Sequence, residues 1–178
     1  RVGRSTAPAR RLANRRPRRR SLERPAMTPV WTTQPSLTSV ASMATDTMMD
    51  ALGIEVTGVG DDWIEGRMPV DRRTVQPMRL LHGGASVVLA ETLGSIAANH
   101  CVDPGSHAVG LEVNANHVRG VSEGGWVVGR ATAMHVGRTT QVWSIAIHDG
   151  GSGALVCASR LTLAVVRPRR EAAPPEAR

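Results

Sequence analysis

The chain has 178 residues, which is enough for one domain with a sizeable core. Its formal net charge is +7, but ten of the 22 arginines lie in residues 1–26, and from Met27 onward fourteen acidic residues outnumber twelve arginines. The part expected to fold is therefore not a basic protein, and a general nucleic-acid-binding surface on it is excluded.

Cysteine usage and hydropathy exclude several other classes of protein. Cys101 and Cys157 form no disulfide framework and have no metal-ligand spacing, so we expect two structural thiols in a reducing cytoplasm. No apolar run is long enough to span a membrane, and no signal-peptide core follows the basic start. The histidines share no spacing that suggests a metal, and no cofactor is expected.

Residues 1–44 are predicted to be a disordered extension. The Arg-rich residues 1–26 have three possible origins: upstream sequence, a nucleic-acid-binding arm or a targeting peptide. Residues 27–44 are rich in Thr, Ser and Pro, which indicates a linker. We place the folded domain at residues 45–166, and residues 167–178, which contain three prolines, are predicted to be a disordered tail.

The first part of the domain is predicted to hold a short helix and two strands. Asp46 is a candidate N-cap for a helix that runs through Leu52 and ends at Gly53. Alternating apolar and polar residues predict strands over 54–59 and 63–70, with a hairpin turn between them.

The segment from Gln76 to Ser95 carries the strongest functional signal. Gly83 and Gly84 lead into an almost wholly apolar run over residues 85–98, which predicts a buried helix interrupted by one carboxylate, Glu91. A buried carboxylate is costly unless it is partnered or protonated, so Glu91 is a candidate for chemistry. The free N–H groups at the start of the helix can hold an oxyanion.

The spacing within this segment predicts a dimer. His82 and Glu91 are nine residues apart, which on a helix is roughly 13.5 Å of rise. The two ends cannot meet on one carbonyl carbon within a single chain. Two antiparallel copies of the helix about a two-fold axis would bring the N-terminus of one beside the glutamate of the other.

Four further strands are predicted after the helix, over residues 107–119, 126–136, 139–148 and 154–166, joined by antiparallel hairpins. The order of elements is short helix, two strands, long helix and four strands. This order indicates an α+β fold in which an antiparallel sheet surrounds one buried helix, rather than a doubly wound sheet.

Three motifs stand in order along the chain: Leu-His-Gly-Gly-Ala-Ser at 81–86, Ala-Glu-Thr-Leu-Gly-Ser at 90–95, and Leu-Glu-Val-Asn-Ala-Asn-His at 111–117. Together they resemble the hotdog-fold acyl-CoA thioesterases, in the branch of the 4-hydroxybenzoyl-CoA and 1,4-dihydroxy-2-naphthoyl-CoA thioesterases. The resemblance implies an acyl-CoA substrate and a homodimer with a continuous sheet, often assembled as a dimer of dimers.

The resemblance also assigns roles to residues. Glu91 matches the catalytic carboxylate and Gly83 the N–H donor to the oxyanion. His82 and Gln76 match residues that assist at the thioester carbonyl, and Ser95 matches a small hydroxyl residue one turn beyond the carboxylate. Five more residues resemble segments that contact coenzyme A: His117, Arg119, Ser122, Gly137 and Arg138.

Several alternatives stay open. Glu91 either attacks the carbonyl carbon or deprotonates water, and the sequence does not separate these routes. Structural roles also exist: His82 as a helix cap, Glu91 as a buried acid paired with an arginine, and Ser95 as a packing residue.

The resemblance implies hydrolysis of an aromatic acyl-CoA, with 1,4-dihydroxy-2-naphthoyl-CoA of menaquinone synthesis as the first candidate. A neighbouring branch, the phenylacetate-pathway thioesterases, usually has aspartate at the position of Glu91. A broad-specificity thioesterase and a non-catalytic module that binds acyl-CoA are the alternatives, whereas a hydratase would require an Asp/His arrangement that we do not find.

Overall fold

A computed structural model describes residues 28–167. The predictions for residues 1–26 and for the tail beyond Arg167 concern residues outside this range. All the predicted strands and the long helix are present, with bounds that differ by at most two residues. The elements are α1 (Leu37–Ser42), α2 (Met48–Leu52), β1 (Glu55–Val59), β2 (Trp63–Pro69), α3 (Gly83–Asn99), β3 (His107–His117), β4 (Trp126–Val136), β5 (Thr140–Asp149) and β6 (Leu155–Val166).

The strands of the described chain form one antiparallel sheet in the order β1-β2-β4-β5-β6-β3. The predicted hairpin between β3 and β4 is wrong, because β3 pairs with β6. The connection over residues 118–125 is longer than a tight turn, and Val121 anchors it in the core. As a result β3 lies at one edge of the sheet.

The long helix α3 packs across strands β2 to β6. Gly66 and Gly129 are paired neighbours on β2 and β4 and leave space for Leu93 of the helix. A Cβ atom on Gly66 would lie only 2.8 Å from Leu93 Cδ2, so glycine at this position permits the close approach of helix and sheet. The predicted α+β arrangement of one sheet against one long helix is confirmed.

Only one stripe of α3 is buried. Glu91 lies on the opposite stripe and is exposed, so the prediction of a buried glutamate is wrong for a single chain. The physical reason is that the sheet covers one side of the helix, and the apolar Val87 and Val88 on the outer side are only half-buried. The buried stripe consists of Ala85, Ser86, Leu89, Ala90, Leu93, Gly94, Ala97 and Ala98.

The segment before Thr45 differs from the predicted linker, because it contains α1. Ser36 and Ser39 form a capping box at the start of this helix, and Val40 is fully buried. The serines that suggested a linker instead satisfy the free N–H groups of the first turn.

Trp31 attaches the same segment to the core. Its ring stacks on that of Trp143, with centroids 6.1 Å apart. Its Nε1–H donates to the carbonyl of Gly60 at 2.8 Å. A stacked aromatic pair stabilises the fold beyond the contribution of the apolar area that the two rings bury.

The start of α2 also differs from the prediction. Thr47, not Asp46, is the N-cap, and its Oγ1 accepts from the N–H of Met49 at 3.2 Å. Asp46 has a φ of 58°, so it turns the chain in the left-handed region before the cap. Gly53, with a φ of 68°, ends the helix as predicted.

Candidate active site

His82 is the N-cap of α3. Its Nδ1 accepts a hydrogen bond from the N–H of Gly84 at 2.8 Å, and its own N–H donates to the carbonyl of Thr74 at 2.8 Å. Because Nδ1 accepts, the proton of the neutral ring lies on Nε2, which remains available as a donor. The capping role is therefore real, and it leaves a donor for a functional role.

Gly83 is the first residue of α3, and its N–H has no acceptor among residues 28–167. His117 lies directly against this residue: its Nε2 is 3.1 Å from the carbonyl oxygen of Gly83. A Cβ atom on residue 83 would come within 3.1 Å of the His117 ring, so glycine allows the imidazole to approach. A free N–H at the positive end of a 17-residue helix is suited to an oxyanion.

The loop before α3 orients Gln76. Its N–H donates to the carbonyl of Leu80, and its carbonyl accepts from the N–H of Arg79. The side-chain Oε1 accepts from the N–H of Met78, which leaves the side-chain NH₂ group as the free donor. Arg79 has a φ of 61° and is held in this turn by its ion pair with Glu123.

A cavity of about 350 Å³ opens at this end of α3. Gln76 and Gly83 line it from the helix side, and His117 and Arg119 line it from the end of β3. Four predicted residues therefore meet in one chain: two assigned to the thioester carbonyl and two to coenzyme A. Apolar walls between them are formed by Leu80, Leu81, Val118 and Val156.

Glu91 does not line this cavity. Its Oε1 lies against β3, 3.1 Å from the position of a Cβ atom on Gly110. No hydrogen bond or ion pair from residues 28–167 holds this carboxylate, so it has no arginine partner within the described chain. Ser95, one turn further on, lines a separate cavity of about 700 Å³ between the 33–43 segment and the second half of α3.

The remaining predicted coenzyme A residues are dispersed. Ser122 pairs with Leu80 in an isolated bridge near the first cavity. Gly137 and Arg138 form the turn between β4 and β5, where the N–H of Gly137 donates to the carbonyl of Thr140 at 3.0 Å.

This turn lies at the opposite end of the sheet from the first cavity. Thr140, at the start of β5, is opposite Ala164 near the end of β6, and Val166 is opposite His107 at the start of β3. His117 ends β3 ten residues later, so a single chain does not bring Arg138 to the cavity.

Ser86 is a further residue of this cavity, and it was not among the predicted site residues. This residue is fully buried on the inner stripe of α3, it lines the first cavity, and its hydroxyl has no hydrogen-bond partner. The signal that would have identified it is a hydroxyl side chain on the buried face of an otherwise apolar helix, which is unusual unless a partner exists.

The two cysteines are not candidates for a nucleophile. Burial raises the pKa of the Cys101 thiol to about 12 and also raises the pKa of the Cys157 thiol. Both thiols are therefore protonated near neutral pH, and the thiolate is the reactive form. Within residues 28–167, no three His, Cys, Asp or Glu side chains group so as to hold a metal ion, and no helix is long and apolar enough to cross a membrane.

Comparison with known proteins agrees with this geometry. Residues 78–156 match the family model of the thioesterase superfamily. The 1,4-dihydroxy-2-naphthoyl-CoA hydrolase of Escherichia coli strain K12 is 47% identical over 137 residues, which cover 77% of this chain and 99% of that protein. The proofreading thioesterase EntH of Cronobacter turicensis is 45% identical over 137 residues, with 77% and 98% coverage.

A crystal structure of a thioesterase from Haemophilus influenzae is similar to the whole described fold. Its TM-score is 0.75 at 44% sequence identity, and the match covers 80% of this chain and 99% of that one. The resemblance inferred from the three sequence motifs is thereby confirmed. This chain belongs to the thioesterase superfamily and is a thioester hydrolase with the hotdog fold.

Proposed function

We propose that this thioesterase hydrolyses an aromatic acyl-CoA thioester to the free acid and coenzyme A, in sites shared between two copies of the chain. One observation carries the proposal: within a single chain, the cavity with the free Gly83 N–H is separated from the exposed Glu91 carboxylate, and both lie along one edge strand of the sheet.

This edge strand is β3, which pairs with β6 on one side and is free on the other. It has 11 residues, it forms one edge of the sheet, and Val109 and Leu111 on it are 45% and 65% exposed. A long edge strand with apolar side chains is the part of a sheet that most readily adds another strand. Pairing with β3 of a second copy would extend the sheet across a two-fold axis.

Antiparallel pairing of this strand with itself would assemble the site. If the axis passes near Val113, Gly110 of one copy lies opposite Asn116 of the other. Glu91 lies against Gly110, and Gly83 lies against the residue that follows Asn116. The carboxylate of one copy would thus meet the helix N-terminus of the other.

The same two-fold operation accounts for the dispersed coenzyme A residues. It exchanges the two ends of β3, so it would carry the Gly137–Arg138 turn of the second copy towards the cavity that contains Arg119. Two arginines and the hydroxyl of Ser122 could then face the phosphates of coenzyme A, because a guanidinium group binds phosphate through paired hydrogen bonds.

The chemistry follows from these positions. The carbonyl oxygen of the thioester accepts from the Gly83 N–H, and the free donors of Gln76 and His82 add to this polarisation. Glu91 of the second copy then attacks the carbonyl carbon or takes a proton from the attacking water. The carbon–sulfur bond breaks and coenzyme A leaves as the thiolate. Water attack gives the free acid directly, whereas attack by Glu91 gives an acyl anhydride that water then hydrolyses to the acid and the carboxylate. We assign Ser95 the role of orienting the water or the acyl group.

One observation supports an aromatic acyl group, and a second shows that there is room for it. The Escherichia coli relative is a 1,4-dihydroxy-2-naphthoyl-CoA hydrolase by name. The cavity of about 700 Å³ beside Ser95 has the volume of a small-molecule site. Hydrolysis of that naphthoyl thioester would place the chain in menaquinone synthesis in the cytoplasm.

A substrate panel tests the acyl group. We expect kcat/KM for 1,4-dihydroxy-2-naphthoyl-CoA and 4-hydroxybenzoyl-CoA to exceed that for butyryl-CoA by at least about 10-fold, since a fitted pocket discriminates by contacts that the smaller acyl group lacks. Comparable rates on all three thioesters would replace the aromatic assignment by the broad-specificity alternative.

A complementation experiment tests the shared site. Gly83→Pro removes the N–H donor, and proline is suited to this position because it is the first of the helix and His82 before it is extended (φ −73°, ψ 132°). Gly83→Ala is the matched control, because it adds the same Cβ atom beside His117 but keeps the N–H. Removal of an oxyanion donor should lower kcat by about 10²–10³-fold, and the alanine variant should lose much less.

Equal amounts of Gly83→Pro and Glu91→Gln, each inactive alone, are then mixed and refolded. Random assortment would make half of the dimers mixed, each with one intact site, so about a quarter of the wild-type activity should return. Mixed dimers, identified by native mass spectrometry, that stay as inactive as their parents would show that the site is not shared.

A further inference from the structure

The hydroxyl of Ser86 has no explained role in the fold. Its Oγ is the one buried side-chain oxygen or nitrogen in residues 28–167 without a hydrogen-bond partner, and the residue is 0% exposed. Buried polar groups are nearly always bonded, because an unmade hydrogen bond loses the solvation of the group. A native hydroxyl in this state indicates a partner that is absent from the single chain.

The backbone of the same helix does not supply that partner. A helical serine commonly donates to the carbonyl four residues earlier, which here belongs to His82. This carbonyl already accepts from the N–H groups of Ala85 at 3.0 Å and of Ser86 at 3.3 Å. The next carbonyl, of Gly83, already accepts from Nε2 of His117. Both nearby acceptors are therefore occupied.

A second copy of the chain would pack on the other side of the helix. Ser86 lies on the stripe of α3 that packs against the sheet of its own chain, whereas a second copy would contact the outer stripe with Glu91. The remaining route to the hydroxyl is the cavity of about 350 Å³ that Ser86 lines together with Gly83 and Arg119. A molecule bound in that cavity is therefore the partner that the position of Ser86 favours.

The position of the hydroxyl relative to Gly83 defines which part of a substrate it meets. Ser86 is three residues after Gly83, hence on the same side of the helix and about 5–6 Å away between Cβ positions. Helical side chains point back towards the N-terminus, which brings the hydroxyl alongside the first turn. A thioester whose carbonyl oxygen is held by the Gly83 N–H would have its sulfur atom near the Ser86 hydroxyl.

The chemistry of coenzyme A places a polar group at this distance. After the sulfur come two methylene groups and then an amide, an extent comparable with the roughly 5.4 Å pitch of one helical turn. The cavity matches such an arm, because its walls include Leu80, Val118 and Val156, and Arg119 is exposed at the end where the phosphates would lie.

We propose that the Ser86 hydroxyl binds the first amide of the pantetheine arm, and so holds the leaving group of the thioester while its carbonyl lies at Gly83. Ser86 is then a binding residue for the carrier portion of the substrate and takes no part in proton transfer. This inference rests on the proposed hydrolysis of a coenzyme A thioester in this cavity.

The experiment compares three benzoyl thioesters that differ only in the thiol. Benzoyl-CoA and N-acetyl-S-benzoylcysteamine contain the first amide, and S-ethyl thiobenzoate lacks it. For Ser86→Ala we expect kcat/KM to fall about 10-fold on the two amide-bearing thioesters, mainly through KM, and to stay unchanged on the ethyl thioester. Ser86→Cys, which keeps the shape with a weaker donor, should fall between wild type and alanine.

Thermal unfolding provides the structural control. Ser159 is also buried, but its hydroxyl donates to the carbonyl of Asn114 at 2.6 Å. Ser159→Ala should lower the unfolding temperature, whereas Ser86→Ala should leave it equal or higher because no hydrogen bond is lost.

An equal loss of kcat/KM on all three thioesters, or no loss on any, would overturn the role of Ser86. A wild-type protein that hydrolyses none of the three would overturn the proposed function itself.

Discussion

The inner stripe of α3 packs against the sheet of its own chain, whereas the outer stripe carries the candidate catalytic glutamate. The inner stripe is complete within one chain: Leu93 fits against Gly66 and Gly129, and Gly94 packs against Leu161 so closely that an added Cβ atom would lie 2.6 Å from Cδ2. The outer stripe is incomplete. It carries the exposed Glu91, which no other side chain in the described part of the chain holds, next to the unpaired edge of the sheet.

This difference shows how one helix can stabilise a fold and supply a reaction. Residues on the inner side are constrained by packing, where a single methyl group matters. Residues on the outer side are only partly constrained by packing within the chain, so their identity can be decided by chemistry and by a second copy. Substitutions on the two sides should therefore separate activity from stability.

The largest effect is expected for Glu91→Gln on the outer stripe. Loss of the base or nucleophile should lower kcat/KM by at least about 10²-fold. Glu91 is bonded by no group of its own chain, so the thermal unfolding temperature should change little. Steady-state kinetics and calorimetry measure both quantities. Asp61→Asn, at an exposed carboxylate in the turn between β1 and β2, is the control. Unchanged turnover would remove Glu91 from the mechanism.

A smaller effect is expected for Leu111→Arg, which places a charge on the free edge of β3. The chain should become monomeric, and kcat/KM should fall by about 10-fold at low protein concentration and recover as concentration rises, because dimers return by mass action. Sedimentation velocity and kinetics at several concentrations test this. Met134→Arg, at another exposed apolar residue, should remain dimeric. An active Leu111→Arg monomer would contradict the shared site.

Arg119→Ala should have a still smaller effect, confined to the carrier portion of the substrate. We expect KM for a coenzyme A thioester to rise about 5-fold with little change in kcat, since an exposed guanidinium contributes modestly to phosphate binding. The difference from wild type should shrink at high salt. The corresponding N-acetylcysteamine thioester lacks phosphates and should not distinguish the two proteins. Arg160→Ala on β6 serves as the control.

The smallest effect on activity is expected on the inner stripe. Gly94→Ala should lower the free energy of unfolding by about 1–3 kcal/mol, because its Cβ atom would overlap Leu161. At temperatures where the variant remains folded, kcat/KM should match wild type. Shortening the neighbour in the double variant Gly94→Ala/Leu161→Val should restore part of the stability. If Gly94→Ala lost activity without losing stability, the assignment of stability to the inner stripe and of activity to the outer stripe would be wrong.

Local patterns were sufficient for much of the fold. Alternating side chains identified the strands to within two residues, and the apolar run after Gly84 identified α3, because both signals depend on neighbouring residues along the chain. The cap of α2 and the helix α1 were predicted incorrectly. Ser and Thr favour loops and helix caps alike, so composition does not separate a linker from a capped helix.

The sequence by itself determined the family and the chemistry of its candidates: the three motifs are continuous stretches, and the distance from Gly83 to Glu91 follows from the helix pitch. Only the tertiary structure decided that β3 pairs with β6, that Glu91 faces outward and that the Ser86 hydroxyl is left without a partner. These features depend on which distant segment covers each face, and contacts between distant segments leave no periodic trace in the chain.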